Sequence, residues 1–289
     1  MKGDAMTKLL YLECTSGISG DMCAAALLDA GASEEAVRRA LESLPVEGFA
    51  VEISRVKKSG LDVCDFSVVL DAAHENHDHD MAYLHGHGGA SEHGHGHDHD
   101  RDHGRAHDHD HAHGAPGGHH HRGPAEIAQI IDGAAMTYGA AHRMFGFVAD
   151  AEARAHGVPV GEVHFHEVGA VDSIADIIAI AVAADDLAPD GVVVSDLPCG
   201  YGTVRCQHDL IPVPAPATAF IAEAAGLTLS PVDVEGELVT PTGAAAAAAL
   251  RTEAALPERF SIKAIGMGAG KRAYDTPGIL RAMIIEPAE

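Results

Sequence analysis

The chain has no tryptophan, and aromatic residues make up only 4% of its 289 residues. Its core must therefore be built mostly from Ala, Val, Ile and Leu, and an apolar fraction of 46% is enough to build one. Basic side chains are also scarce: 19 Lys and Arg stand against 43 Asp and Glu, a formal charge of −24. That balance excludes nucleic acid and an anionic membrane surface as partners, because both select a basic footprint. No run of about 18 apolar residues is present, which excludes a membrane-spanning helix. The opening MKGDAMTKLLYLECTSG lacks the apolar segment and small-residue cleavage site of a signal peptide. The five cysteines (Cys14, Cys23, Cys64, Cys199 and Cys206) are odd in number, scattered, and include no CxxC pair. They do not form a disulfide framework, and they fit a reducing cytoplasm.

Apolar patterning then predicts the elements. Lys8 to Cys14 (KLLYLEC) reads as a short buried strand ended by Thr-Ser-Gly. Ser19 to Ala30 reads as a helix with Ser19 or Asp21 near its N-cap, and Glu34 to Leu44 as a second helix capped by Ser33. VEISRV and CDFSVVL have strand character on either side of the turn Ser59-Gly60. Ordered structure resumes at Pro124 with AEIAQIIDGAAM and AAHRMFGFVADAEARAHG, and the loop HFHEVGAVDS leads into the helix ADIIAIAVAADDL. A buried strand at Gly191 to Ser195, a Gly/Pro-rich stretch, a helix to Ala225, a helix at Gly243 to Leu250, and the strands FSIKAIGMG and ILRAMIIE complete the chain. The expected class is α/β or α+β, a mixed sheet with flanking helices interrupted by a disordered His-rich insert. The boundaries are 6–73 and 123–289 for the globular part and 74–122 for the insert.

That insert holds 17 of the 22 histidines, all between His74 and His121. They are interleaved with Asp, Gly and Ala and with few apolar residues, a composition that cannot offset the entropy of ordering. Neutral imidazole is the commonest side-chain ligand for borderline metals. Runs such as His93-Gly-His95-Gly-His97-Asp-His99, and His107, His109, His111 and His113 beyond them, place donors within reach of one ion without a fold. The stability order of first-row metals puts Ni²⁺ above Co²⁺ and below Cu²⁺, so the tract by itself does not name the metal. Such a tract suits storage or delivery, whereas a catalytic centre needs preorganised ligands.

Other segments carry candidate chemistry. Ser16-Gly17-Ile18-Ser19-Gly20-Asp21 follows a strand and opens a helix, where backbone N–H groups and the helix dipole can hold a phosphate. Asp21 is placed there to hold a divalent ion bridging phosphates; the alternative is a tight turn with Asp21 as a cap. His164 to Asp172 puts four potential ligands into nine residues. His164 and His166 share a face if extended, Glu167 is a candidate base or supporting partner, and Asp172 and Asp176 lie one helical turn apart. His208 with PVPAPAT, Glu237 with Thr240-Pro-Thr242-Gly243, and Gly266-Met-Gly268-Ala-Gly270-Lys271-Arg272 are loops of unusual composition. Lys271 and Arg272 after three glycines are candidates to hold a phosphate.

In their order, SGISGDM, the His-rich insert, HFHEVGAVDSIADI, PVPAPAT, ELVTPTGAA and GMGAGKR resemble the nickel insertion proteins of lactate-racemase cofactor maturation (LarC type), from about Met6 onward. The resemblance implies an enzyme, a metallochelatase of the lyase class. It would insert Ni²⁺ into pyridinium-3,5-bisthiocarboxylic acid mononucleotide and consume CTP, with Mg²⁺ or Mn²⁺ accompanying the CTP. His164, His166, Asp172 and Asp176 would then receive nickel, and Ser16, Gly17, Ser19, Gly20, Lys271 and Arg272 would bind the nucleotide. Glu167, His166 and Asp21 would be catalytic, with Glu167 or His166 taking the pyridinium C–H proton. Three departures stand out. Glu13-Cys14-Thr15 replaces the family's Asp-Cys-Phe, Asp209 follows His208 where the family has Gly, and no C-terminal domain follows GAGKR. CTP binding is associated with that domain in the family, so a separate C-terminal subunit is an expected partner, and a homo-oligomer the expected assembly. Two other classes fit the residues: a non-catalytic nickel store or delivery protein, and a phosphohydrolase using Asp21, Asp172 and Asp176 on Mg²⁺ or Mn²⁺.

Overall fold

The computed structural model describes residues 7–70, 122–133, 139–163, 165, 171–206 and 209–288. In chain order these form β1 (Leu9–Glu13), α1 (Gly20–Asp29), α2 (Glu34–Glu42), β2 (Phe49–Lys58), β3 (Leu61–Leu70), α3 (Pro124–Gly133), α4 (Gly139–His156) and α5 (Val171–Leu187). Then come β4 (Gly191–Val194), β5 (Leu197–Tyr201), β6 (Thr203–Cys206), β7 (Asp209–Pro212), α6 (Pro216–Ala225), β8 (Leu229–Glu235), α7 (Pro241–Leu250), β9 (Phe260–Ala269) and β10 (Ile279–Pro287). The main sheet has six strands in the order β2-β3-β9-β10-β1-β4. It is mixed, as expected: β1 runs antiparallel to β10, with Tyr11 opposite Met283, and parallel to β4, with Leu10 opposite Val192.

β1 is interior because both of its faces are apolar. Leu10 and Leu12 point into the main core, while Leu9 packs with Met283 and Ile285 on the other side. Helix α1 crosses β9, β3 and β10, and it lies unusually close to the sheet. A Cβ on Gly268 would stand 2.0 Å from the Met22 carbonyl oxygen, and one on Gly266 would stand 2.0 Å from that of Ala26. The first two glycines of GMGAGKR are therefore strand residues that seat α1, as the strand reading of FSIKAIGMG expects, and not part of a loop. Helix α5 is apolar nearly all round, with Ile174, Ile177, Ile178 and Ile180 buried, and it occupies the centre of the helical layer against α1, α2 and α4. It begins at Val171, a turn earlier than its apolar run suggests, so Asp172 belongs to its first turn.

The Gly/Pro-rich stretch after β4 contains two short ribbons that patterning did not reveal. β5 pairs in parallel with β8, and β6 pairs antiparallel with β7. Pro198 and Pro231 sit in the first ribbon, which explains its weak strand signature. Among the described residues no helix is long and apolar enough to cross a membrane.

Candidate functional site

An open cleft of about 1220 Å³, counting the solvent at its mouth, lies where the start of α1, the start of α5, β6, the start of α7 and the segment after β9 converge. The turn after β1 builds one wall. The Gly17 N–H donates to the Cys14 carbonyl at 2.8 Å, and Ile18 then pairs with the segment before α7, donating to Leu238 O at 3.0 Å while its own carbonyl accepts from the Thr240 N–H at 3.2 Å. Gly17 has φ +109, and a Cβ there would stand 2.4 Å from Leu238 O. Gly243 likewise approaches Ile18 O, at 2.2 Å from its built Cβ. SGISGD and TPTG are thus two helix-opening turns packed against each other, with Thr240 capping α7 through the Gly243 N–H at 3.1 Å.

The N-terminal end of α1 is occupied by a carboxylate. Gly20 leaves room for Asp176, whose Oδ2 lies 2.3 Å from the Cβ that Gly20 lacks, and the Asp21 N–H donates to the Asp176 carboxylate. Ser19 is the N-cap, but its side chain makes no cap bond; its hydroxyl donates to Asp21 Oδ1, which also accepts from the Met22 N–H at 2.9 Å. Burial, then the charges of Asp21 and Asp172, push the Asp176 carboxyl well above the ordinary carboxylate range; Lys271 and the Asp21 N–H act the other way. Asp21, Asp172 and Asp176 gather acidic groups on the cleft wall.

The cations that line the cleft are internally paired. Lys271 forms an ion pair with Asp65 on β3, and Arg272 pairs with Glu237 at 2.5 Å. Lys58, at the end of β2, donates to the carbonyls of Gly270 at 2.5 Å and Arg272 at 3.0 Å, fixing the turn that presents both cations. Burial lowers the Lys58 ammonium from its usual range, partly offset by Asp21. Tyr274 covers Gly236, whose φ of +135 and missing Cβ make room for the ring, and burial raises its phenol. Arg205 and Cys206, at the end of β6, line the same cleft.

Ser16, Ser19, Gly20, Asp21, Asp172, Asp176, Lys271 and Arg272, scattered through the sequence, therefore line one cleft. His164, His166, Glu167 and His208, and the tract with His93, His95, His97, His99, His107, His109, His111 and His113, lie outside the described residues. By position, His164 to Ala170 immediately precede α5, whose Asp172 and Ser173 line the cleft; His208 follows Cys206 by two residues. Among the described residues no three His, Cys, Asp or Glu side chains gather as a group able to hold a metal ion. Sequence reading missed Lys58 and Asp65. They meet the cleft-lining Gly270, Lys271 and Arg272 through strand pairing, with Cys64 of β3 opposite Gly268 of β9, and no local motif marks that approach.

The family described as nickel insertion protein matches residues 10–289. A curated relative, the pyridinium-3,5-bisthiocarboxylic acid mononucleotide nickel insertion protein of Alkaliphilus metalliredigens, is 46% identical over 97% of this chain and 61% of its own length. The proteins of that name from Geobacillus kaustophilus and Staphylococcus saprophyticus are 36% and 32% identical, each over 96% of this chain and 60% of their own length. The chain thus spans about three fifths of the length of these relatives. No solved structure matches it. With the family matched along almost the whole chain, and with relatives above 30% identity, this chain belongs to the nickel insertion protein family.

Proposed function

We propose that this chain takes up Ni²⁺ and inserts it into pyridinium-3,5-bisthiocarboxylic acid mononucleotide, in a CTP-consuming reaction that forms the nickel-pincer nucleotide. The observation that carries this reading is one cleft lined both by the carboxylates Asp21, Asp172 and Asp176 and by the cations Lys271 and Arg272. A mononucleotide calls for both kinds of group: cations for its phosphate, and metal-binding donors beside a thiocarboxylate-bearing ring that must meet a metal ion. Lys271 and Arg272, though paired with Asp65 and Glu237, line the cleft wall and present fixed positive charge to a phosphate. The Ser16–Gly20 turn forms the adjoining wall. Nickel is the substrate ion. The His tract collects it, and His164 and His166, which precede Asp172 in sequence, pass it to the ring. Forming the nickel–carbon bond releases the ring C–H proton to a base, for which Glu167 and His166 are the candidates. The proposal also takes in a C-terminal subunit as the source of CTP binding, with Mg²⁺ or Mn²⁺ accompanying CTP, and a homo-oligomeric assembly.

The test mixes the purified chain with Ni²⁺, the thiolated mononucleotide and CTP, with and without a C-terminal partner, and follows the product by its absorbance and mass. Product in the complete mixture, reduced by His166→Ala or Lys271→Met, is the expected result. No product with any partner would remove the reading.

A further inference from the structure

Asp21 lines the cleft and is only 8% exposed, and its Oδ2 is buried with no hydrogen-bond partner. Its other oxygen is fully engaged by the Ser19 hydroxyl and the Met22 N–H. A buried, unsatisfied carboxylate oxygen is unfavourable unless a cation or a proton meets it. No neighbouring group donates a hydrogen bond to it, although the Lys58 ammonium interacts with the Asp21 charge. Asp176 is tied to the Asp21 N–H and adds negative charge, and Asp172 lies one turn before it on α5. Lys58 is turned to the carbonyls of Gly270 and Arg272, and Lys271 to Asp65.

We propose that Asp21 and Asp176 hold a hard divalent cation of the Mg²⁺ type at the N-terminal end of α1, separate from the nickel that the chain handles. The donors are oxygens, which suit Mg²⁺ or Mn²⁺, whereas imidazole favours nickel. Mg²⁺ keeps several waters and uses one or two carboxylates together with substrate phosphate, so it does not need the three-donor group that the described residues lack. The cation also eases an electrostatic conflict. Three carboxylates in the cleft repel a nucleotide phosphate, and a bound dication offsets two of their three charges and offers the phosphate a cation to meet. This bridging role rests on the reading that the cleft holds a mononucleotide; the cation site itself does not.

Electron paramagnetic resonance of Mn²⁺ titrated into the full chain tests the site, with excess Mg²⁺ added to separate hard-oxygen binding from binding to the His tract. The expected result is one class of bound Mn²⁺ that Mg²⁺ displaces, weakened more than about tenfold in both Asp21→Asn and Asp176→Asn. Mg²⁺ should also raise the thermal midpoint of the parent chain and not of the variants. If Asp176→Asn fails to fold, Asp21→Asn carries the comparison alone, because it keeps the bonds to Ser19 and Met22. Parent and variants losing the same Mn²⁺ to Mg²⁺, or no Mg²⁺-displaceable Mn²⁺ in the parent, overturns the proposal; the second outcome means that a proton shared with Asp176 satisfies Asp21. Adding CMP should tighten Mn²⁺ binding, and an unchanged affinity removes the bridge to phosphate. Nickel insertion is scored separately, so its failure with the Mn²⁺ signal intact counts against the nickel reading alone.

Discussion

Asp176 Oδ2 lies where a side chain on residue 20 would begin: a Cβ built on Gly20 falls 2.3 Å from that oxygen and 2.8 Å from the Asp176 Cβ. Residue 20 opens a helix, where alanine is favoured over glycine by up to about 1 kcal/mol on propensity alone. The clash outweighs that gain, because Asp176 is held on the buried helix α5 and cannot swing clear. Gly20→Ala should lower the unfolding free energy by about 1–3 kcal/mol, the usual range for overpacking, as measured by urea denaturation. A neutral or stabilising result would show that the contact yields easily.

The same reasoning makes Gly268→Ala the more damaging change. Its added methyl would meet backbone, the Met22 carbonyl at 2.0 Å, and α1 would have to lift from β9. A loss of about 3 kcal/mol or more is expected in the same measurement. Gly268 also shows what could be read beforehand. The helices and central strands are legible because apolar spacing is local, and α5 and β1 lie close to where their patterns place them. The role of Gly268 depends on which helix crosses its strand, about 245 residues earlier in the chain, and spacing carries no such information. SGISGD illustrates the same limit. Its glycines look like a phosphate cradle, yet Gly17 and Gly20 make room for Leu238 O and Asp176. The pairings of Lys58 and Lys271 with β3 and the turn after β9 are likewise products of sheet order.

Burial divides the five thiols into two groups. Burial pushes the Cys14 thiol up to about 12 and the Cys64 thiol up to about 11 from an ordinary 9.0, and it raises Cys23 further still, while Cys199 and Cys206 are only partly covered. Iodoacetamide at mildly alkaline pH should therefore label Cys199 and Cys206 in the native chain and leave the other three until denaturant is added, as read by peptide mass spectrometry. The sign of the pH effect follows. The native state keeps thiol protons that the unfolded chain releases above pH 9.0, so this contribution to stability is full below that value and is lost as pH rises toward 12. The thermal midpoint should fall over that window, and Cys23→Ala should make the fall shallower. A midpoint with no alkaline slope would contradict the assignment.

Lys271 and Asp65 pair with side chains only 19% and 14% exposed, so this ion pair is not a solvated surface contact. Removing either partner strands the other's charge. A double-mutant cycle with Lys271→Met and Asp65→Leu should give a coupling energy of about 0.5–3 kcal/mol, with the double variant more stable than the sum of the singles predicts. The cycle also separates folding from binding. Lys271→Met should weaken nucleoside monophosphate binding in calorimetry even where Asp65→Leu restores stability. Additive effects would mean that the two side chains act independently.

Seventeen of the 22 histidines lie between His74 and His121, while His164 and His166 precede in sequence the helix whose Asp172 lines the cleft. The two groups of imidazoles therefore have separable tasks. Deleting residues 76–121 should sharply lower the number of nickel ions bound per chain in equilibrium dialysis, because the tract supplies most of the donors. Insertion measured at saturating nickel should survive, since the cleft residues and the second His pair are untouched. At limiting nickel the rate should drop, because the deleted chain can no longer concentrate the ion beside the site. A plain nickel store behaves differently: the deletion would remove essentially all binding, and no concentration of nickel would recover a product. Retained turnover at high nickel and slowed turnover at low nickel, in one deletion variant, thus separates an inserting enzyme from a reservoir.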